Sequence, residues 1–154
     1  MLTDNEKKEI LEEAKAFPYK KAAVIDALKI VQNHKGWLSD ESIRDIAEFL
    51  EMSVDEVDSI ATFYSRLYRQ PVGRNVILIC DGITCMIMDY ESIYDYISNK
   101  LGIKFGETTS DNRYTLLPIS CLGDCDNAPS MMINNDLYNR LTIENIDDLL
   151  DGYK

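Results

Sequence analysis

Two kinds of hydrophobic periodicity divide the chain near residue 70. Before it, apolar positions recur every three or four residues, the spacing that puts side chains on one face of an α-helix. Thr3 with Glu6 has the form of a capping box, and the helix it opens is expected to stop near Phe17-Pro18. A second helical pattern runs from Lys20 to His34 with Ala23, Ala27, Leu28 and Val31 along one side and Gly36 as terminator. Ser39 is placed to cap a third helix carrying Ile43, Ile46, Ala47 and Leu50, and Ser53 with Glu56 to cap a fourth. Residues 1–70 therefore read as a small helical bundle.

The texture changes at Gln70-Pro71-Val72-Gly73, a cluster of chain breakers. Asn75 to Cys80 is a short continuous apolar run, as expected of a strand buried on both faces. A helix is predicted from Tyr90 to Leu101, with Ile93, Ile97 and Leu101 inward and Gly102 as its stop; a strand follows from Arg113 to Leu117. Met131 to Ile133 and Leu137 to Leu141 flank Asn134-Asn135-Asp136, a hairpin turn, and Thr142 caps a last helix with Ile146, Leu149 and Leu150. The order β-α-β then β-β-α makes residues 71–154 a thioredoxin-like domain with a small mixed sheet, and the chain as a whole α+β. No repeat, low-complexity tract or flexible linker interrupts it.

Composition narrows the choice of partner. Sixteen basic against 27 acidic residues leave a net charge of −11, which repels phosphate backbones and anionic lipid headgroups, so no nucleic acid is expected. The longest apolar runs, such as VILIC at Val76 to Cys80, are far shorter than the ~20 residues of a membrane helix, so no direct membrane insertion is expected. The opening MLTDNEKKEI is neither an apolar signal segment nor an Arg-rich, acid-poor transit peptide, and a cytoplasmic, bacterial setting is expected.

In a reducing compartment four cysteines point to metal binding or redox chemistry rather than to structural disulfides. The four are Cys80 and Cys85, then Cys121 and Cys125, and each pair follows a predicted strand. Two loops presenting two thiols each suit a 2Fe-2S cluster, in which each tetrahedral iron shares two sulfides and takes two thiolates from the protein. Gly123, and Gly82 in the first loop, would let the backbone turn tightly and bring amide N–H groups toward sulfur. A structural zinc site also takes four thiolates, although zinc knuckles, with two to four residues between ligands, stabilise very small domains, whereas C-x4-C and C-x3-C here are separated by 35 residues in a chain that can build its own core. Buried thiols or a disulfide are the remaining possibilities. A thiol-exchange enzyme fits worst, since neither pair is C-x-x-C. Asp81, Asp124 and Asp126 each adjoin a cysteine; carboxylates facing a cluster would disfavour an added electron and lower its potential, whereas carboxylates turned to water would be screened.

Other conspicuous residues have plainer roles. His34, the only histidine, sits beside Lys35 and Gly36 at a helix end, where it serves the helix terminus better than a metal. Tyr64, Tyr68, Tyr90, Tyr94 and Tyr96 are expected to pack. The chain has no G-x-G-x-x-G, no phosphate-binding GK[ST] loop and no nucleophile-base pair, so a complete active site is not expected and no residue is assigned as catalytic.

ATFYSRLYRQPVGR (Ala61 to Arg74), CDGITC (Cys80 to Cys85), RYTLLPISCLGDCDNAP (Arg113 to Pro129) and the closing LTIENIDDLL resemble the small thioredoxin-like 2Fe-2S subunit, NuoE in bacteria, of respiratory NADH:quinone oxidoreductase, complex I. The resemblance runs over nearly the whole chain. It implies that Cys80, Cys85, Cys121 and Cys125 hold the iron of one 2Fe-2S cluster, each pair on one iron. It further implies a partner flavoprotein subunit that binds FMN and NADH, an electron exchanged with that flavin, N-terminal helices that contribute to the contact between them, and a peripheral place on the inner face of the membrane. The same module is used in NAD-linked hydrogenases and formate dehydrogenases. The match through the QPVGR junction and the C-terminal helix favours the respiratory complex, with a zinc-stabilised interaction module as the reading from another class.

Overall fold

Helix caps do much to determine where the first half of the chain turns. In a computed structural model, which describes residues 1–153, Thr3 caps α1 (Asp4–Ala14) and Ser53 caps α4 (Val54–Phe63), each with the reciprocal bond from the Glu three positions on. Ser39 caps α3 (Asp40–Leu50) by accepting from the Ser42 N–H. Gly36, at φ +84°, ends α2 (Val24–Lys35). Two boundaries differ from expectation. Helix α1 stops at Ala14, short of Phe17-Pro18, and residues Lys20–Ala23 form a separate 3-10 turn ahead of α2. After Ala14 the Lys15, Ala16 and Phe17 N–H groups bond carbonyls three residues back, so the helix tightens into turns ahead of Pro18.

The chain falls into two compact units, Met1–Pro71 and Val72–Lys154. The first closes on a core of Ile10, Leu28, Val31, Leu38, Ile43, Ile46 and Leu50, all essentially inaccessible to water. Arg69 fastens the segment after α4 to this bundle, with Nε 2.7 Å from the Asp58 carboxylate and an Nη 2.7 Å from Asp40. His34 lies in the last turn of α2, its Nε2 3.0 Å from the Glu9 carboxylate of α1.

Glu6 is the one buried carboxylate of this unit, 1% exposed. Its Oε2 accepts from the Thr3 N–H at 2.7 Å and from the Thr3 hydroxyl at 2.9 Å. Burial pushes its carboxyl up, but the Thr3 bonds and the Lys35 charge outweigh this and hold it below the usual range. A lowered native value stabilises the fold at pH above the ordinary Glu value, and that stability disappears as pH falls through the native one. Melting temperatures measured between pH 7 and pH 3 should therefore fall less steeply for Glu6→Gln than for the wild type, with the variant the less stable at pH 7; parallel curves would dissociate Glu6 from acid unfolding.

The second unit is built on β1 (Asn75–Cys80), whose six residues are all buried. The sheet order is β2-β1-β3-β4, where β2 is Tyr114–Ile119, β3 Met131–Ile133 and β4 Asp136–Tyr138. Strand β2 is parallel to β1, with Cys80 opposite Ile119, and β3 and β4 are antiparallel neighbours. Ile77, Ile79, Leu116, Met131 and Ile133 meet Ile97 of α6 (Tyr90–Leu101) and Ile146 and Leu150 of α7 (Ile143–Asp151) in one core; α5 is the short helix described with the site below. This mixed sheet with helices is the α+β arrangement expected, shifted in detail. Strand β2 runs two residues beyond Leu117, β4 ends at Tyr138 rather than Leu141, and Asp136 lies in β4, leaving Asn134-Asn135 as the turn. Leu101 is only half-buried. Tyr94 stacks on Phe105 with ring centres 4.4 Å apart and the Tyr96 hydroxyl donates to Asp147, whereas Tyr64 is 42% exposed rather than packed. The Ala128-Pro129 peptide is cis. Among the described residues no helix is long and apolar enough to cross a membrane.

Candidate functional site

Parallel neighbouring strands deliver both cysteine pairs to the same end of the sheet. Cys80 is the last residue of β1, and Cys121 lies two residues beyond Ile119, the last of β2. The carboxyl ends of parallel strands are where open sheets leave a crevice for ligands. The Asp81 N–H donates to the Ile119 carbonyl at 3.0 Å and the Cys80 N–H to the Ser130 carbonyl at 3.1 Å, so the two segments leave the sheet already bound to each other. Beyond them the expectation of two simple loops is corrected. Cys85 sits inside a short helix, α5 (Ile83–Ile87), and Cys125 opens a 3-10 turn, Cys125–Asn127.

All four cysteines line one hollow of about 480 Å³, together with Asp81, Gly82, Thr84 and Ser120. Cys80 and Cys85 are buried and Cys121 and Cys125 exposed; none is in a disulfide. The Cys121 and Cys125 sulfurs are 3.9 Å apart. Two thiolates sharing a tetrahedral metal at about 2.3 Å stand about 3.8 Å apart, so this pair already spans one edge of such a site. Cys80 and Cys85, both buried and lining the same hollow, form the second pair. Among the described residues no three His, Cys, Asp or Glu side chains gather as ligands of a single ion. The sulfurs are thus arranged as two pairs around a common space, a donor set suited to two metals.

Backbone amides point at these sulfurs. The Gly123 N–H donates to Cys121 Sγ at 3.3 Å, from a backbone at φ +79° that glycine adopts without strain. Burial pushes the Cys80 thiol up, but the Gly82 and Leu122 N–H groups outweigh it and hold the thiol below its usual range. Burial and the Cys80 sulfur push Cys85 up, and the Cys121 sulfur pushes Cys125 up. In each of these pairs one thiolate makes the second costly, a penalty that a bound cation removes.

The acidic neighbours separate. Asp81 lines the hollow. Asp124 does not, because Asn127 and Asn139 side-chain amides each donate to one of its carboxylate oxygens at 2.7 Å, which lowers its pKa and ties the second cysteine segment to the residue after β4. Asp126 is exposed and also lies outside the lining. Sequence reasoning missed Ser130, 1% exposed with its hydroxyl 3.9 Å from Cys85 Sγ, and Thr84, which bonds Cys125 across the hollow. A hydroxyl residue one position from a cysteine, like Thr84 before Cys85, was the available signal; for Ser130, five residues past Cys125, there was none.

The thioredoxin-like 2Fe-2S ferredoxin family matches residues 8–154. The chain belongs to this family. A 2Fe-2S cluster is the family's cofactor, and the two thiol pairs fit it. The chain is 48% identical over 153 residues to an NADH-quinone oxidoreductase subunit of Buchnera aphidicola subsp. Acyrthosiphon pisum, covering 99% of this chain and 94% of the relative. It is 50% identical over 134 residues to the protein of the same name in Escherichia coli K12, covering 87% and 81%. The H2-reduced structure of an NAD+-reducing NiFe-hydrogenase shares the fold, with TM-score 0.71 and 22% identity over 84% of this chain; the match spans 22% of the hydrogenase chain.

Proposed function

We propose that this chain is the NuoE-type electron-transfer subunit of an NADH-quinone oxidoreductase and that Cys80, Cys85, Cys121 and Cys125 hold its 2Fe-2S cluster, each pair on one iron. The observation that carries the reading is the delivery of two thiol pairs, one with its sulfurs at the spacing of a shared tetrahedral metal, to one hollow in a chain that NADH-quinone oxidoreductase relatives match nearly end to end. Residues 1–70 are the helical region and 71–154 the cluster-bearing ferredoxin domain. When bound, the cluster accepts and returns one electron at a time. The chain's own residues position it: the Gly82, Leu122 and Gly123 amides stabilise thiolate charge, the β1–β2 pairing holds the ligand segments together, and Ser130 and Thr84 place hydroxyls beside sulfur. FMN and NADH belong to the flavoprotein partner, with which the cluster exchanges electrons, and the assembly sits peripherally on the cytoplasmic face of the membrane. The diaphorase module of an NAD-linked hydrogenase or formate dehydrogenase is the neighbouring role; the end-to-end match to the quinone-linked relatives favours theirs.

Iron and acid-labile sulfide assays with EPR of the anaerobically purified, dithionite-reduced chain test this. Two irons and two sulfides per chain with a rhombic signal are expected; one zinc and no labile sulfide after anaerobic reconstitution would overturn the reading.

Tuning is assigned to Asp81 and to the Gly123 amide, with Asp124 and Asp126 contributing only through their charge at longer range. Asp81 lines the hollow with the four cysteines, so removing its negative charge makes an added electron less costly and Asp81→Asn should raise the midpoint potential. Redox titration followed by EPR should show a smaller rise for Asp126→Asn, and an unmoved Asp81→Asn would return that carboxylate to the solvent.

A further inference from the structure

The two thiol pairs differ in what surrounds them. Cys80 and Cys85 are each 2% exposed. Cys80 is the last residue of β1, its N–H donated to the Ser130 carbonyl, and Cys85 lies inside α5, so sheet and helix hold both backbones. Cys121 and Cys125 are exposed, with sulfurs 3.9 Å apart. Only Leu122, Gly123 and Asp124 separate them, residues that belong to no helix or strand. Gly123 stands at φ +79°, and among the described residues, its chain neighbours aside, nothing lies within 4 Å of the position a Cβ would take. A disulfide holds its sulfurs at about 2 Å, so closing the exposed pair asks for a movement of about 2 Å in a segment of irregular backbone with open space beside its glycine.

Access and charge select the oxidant. Cysteines shielded from solvent are inert, whereas exposed thiols are open to oxidation. Asp81 lines the hollow, Asp124 and Asp126 flank Cys125, and segment 114–139 carries no Lys, Arg or His. Such a surface repels an anionic oxidant such as glutathione disulfide and does not oppose a neutral peroxide.

Resting on the cluster reading above for what the bond blocks, we propose that Cys121 and Cys125 are a peroxide-sensitive pair that closes into a disulfide before cluster insertion, locking half of the donor set until a dithiol reductant reopens it. One thiolate of the pair attacks hydrogen peroxide; the O–O bond breaks, a sulfenic acid forms and hydroxide leaves. The second thiol attacks that sulfur, forming the S–S bond and releasing water. The pair loses two electrons, and with the two thiol protons peroxide becomes two waters. Cys80 and Cys85 stay reduced. Each iron takes two thiolates from the protein, so the closed pair leaves one iron without ligands. A dithiol restores both thiols, which keeps the step reversible where oxidation to sulfinic acid is not.

The test uses the full chain, freed of iron by a chelator under anaerobic reductant and then desalted. Samples receive hydrogen peroxide or, in parallel, glutathione disulfide; free thiols are capped with a maleimide and tryptic peptides are weighed. Cleavage after Arg74, Lys100, Arg113 and Arg140 places Cys80 and Cys85 in one peptide and Cys121 and Cys125 in another. With peroxide, peptide 114–140 should be lighter by two hydrogens and take no maleimide, while both cysteines of peptide 75–100 take it. The initial rate of iron uptake from ferrous iron and sulfide should fall at least about tenfold, and prior dithiothreitol should restore it. Cys80→Ser/Cys85→Ser, which keeps only the exposed pair, should close the bond as fast as the wild type. Equal loss of maleimide from both peptides, a bond between the two peptides, sulfinic acid without the internal bond, or faster closure by glutathione disulfide would overturn the peroxide-sensitive pair. An oxidised chain that loads iron as fast as the reduced one would overturn the lock. A reduced chain that takes up zinc but neither iron nor labile sulfide would instead overturn the cluster reading, with the disulfide still visible in the peptides.

Discussion

Cys121→Ala is expected to strip the chain of its iron while leaving the helical unit folded. The Cys121 and Cys125 sulfurs lie 3.9 Å apart, and on the proposed ligation, two thiolates to each iron, removing one leaves a single thiolate where two are required. The Gly123 N–H loses its sulfur acceptor at the same time. Cluster binding stabilises only the state that binds it, so the second unit loses that linkage energy as well. The first unit's core, from Ile10 to Leu50, contains no cysteine and should persist. Iron per chain should fall below about a tenth of the wild-type value, with loss of visible absorption and of the reduced EPR signal, while far-UV circular dichroism stays predominantly helical. Full iron content in Cys121→Ala would remove this residue from the ligand set.

Gly82→Ala should do nearly as much damage without touching a ligand. Gly82 has φ −64°, which any residue adopts, so its glycine is required by space. A Cβ there would lie 2.7 Å from the Ser120 carbonyl oxygen, 3.5 Å from Cys80 Sγ and 3.9 Å from Cys121 Cβ. The obstructing atom is backbone, held by the neighbouring bond from the Asp81 N–H to the Ile119 carbonyl, and cannot swing aside as a side chain would. Relief requires the two cysteine segments to part. Such overpacking costs about 1–3 kcal/mol, roughly 5–20 °C in melting temperature for a unit of this size, and the cluster should be lost faster to chelators. Gly123→Ala is the contrasting case: among the described residues, its chain neighbours aside, nothing lies within 4 Å of its Cβ position, but φ is +79°, so its cost of about 1–2 kcal/mol is backbone strain. Equal iron-release rates for Gly82→Ala and wild type would show that the segments tolerate separation.

The site was legible where chemistry is carried by residue type. Four cysteines in two pairs, each just past a predicted strand, lead one to expect all four at one place, since thiolate is a demanding ligand, and the structure brings them to one hollow. Asp124 shows the limit of adjacency. It precedes Cys125 directly, yet Asn127 and Asn139 hold its carboxylate away from the hollow, and Asn139 lies 15 residues beyond it in the chain. Helix α5 shows another, because five residues are too few for periodicity to register, and its exposed face breaks the rule that apolar spacing points to the core.

The sequence by itself determined the caps of α1, α3 and α4, the buried character of β1 and the four thiols, because these depend on local hydrogen bonding and on side-chain chemistry. Only the tertiary structure decided that β1 and β2 run parallel, so that both cysteine pairs emerge at one end of the sheet, and that Gly82 passes against the Ser120 carbonyl. Those outcomes join residues that are distant in the chain. Chain entropy opposes such closures and only the assembled sheet and its core compensate for it, so no short stretch of sequence contains them.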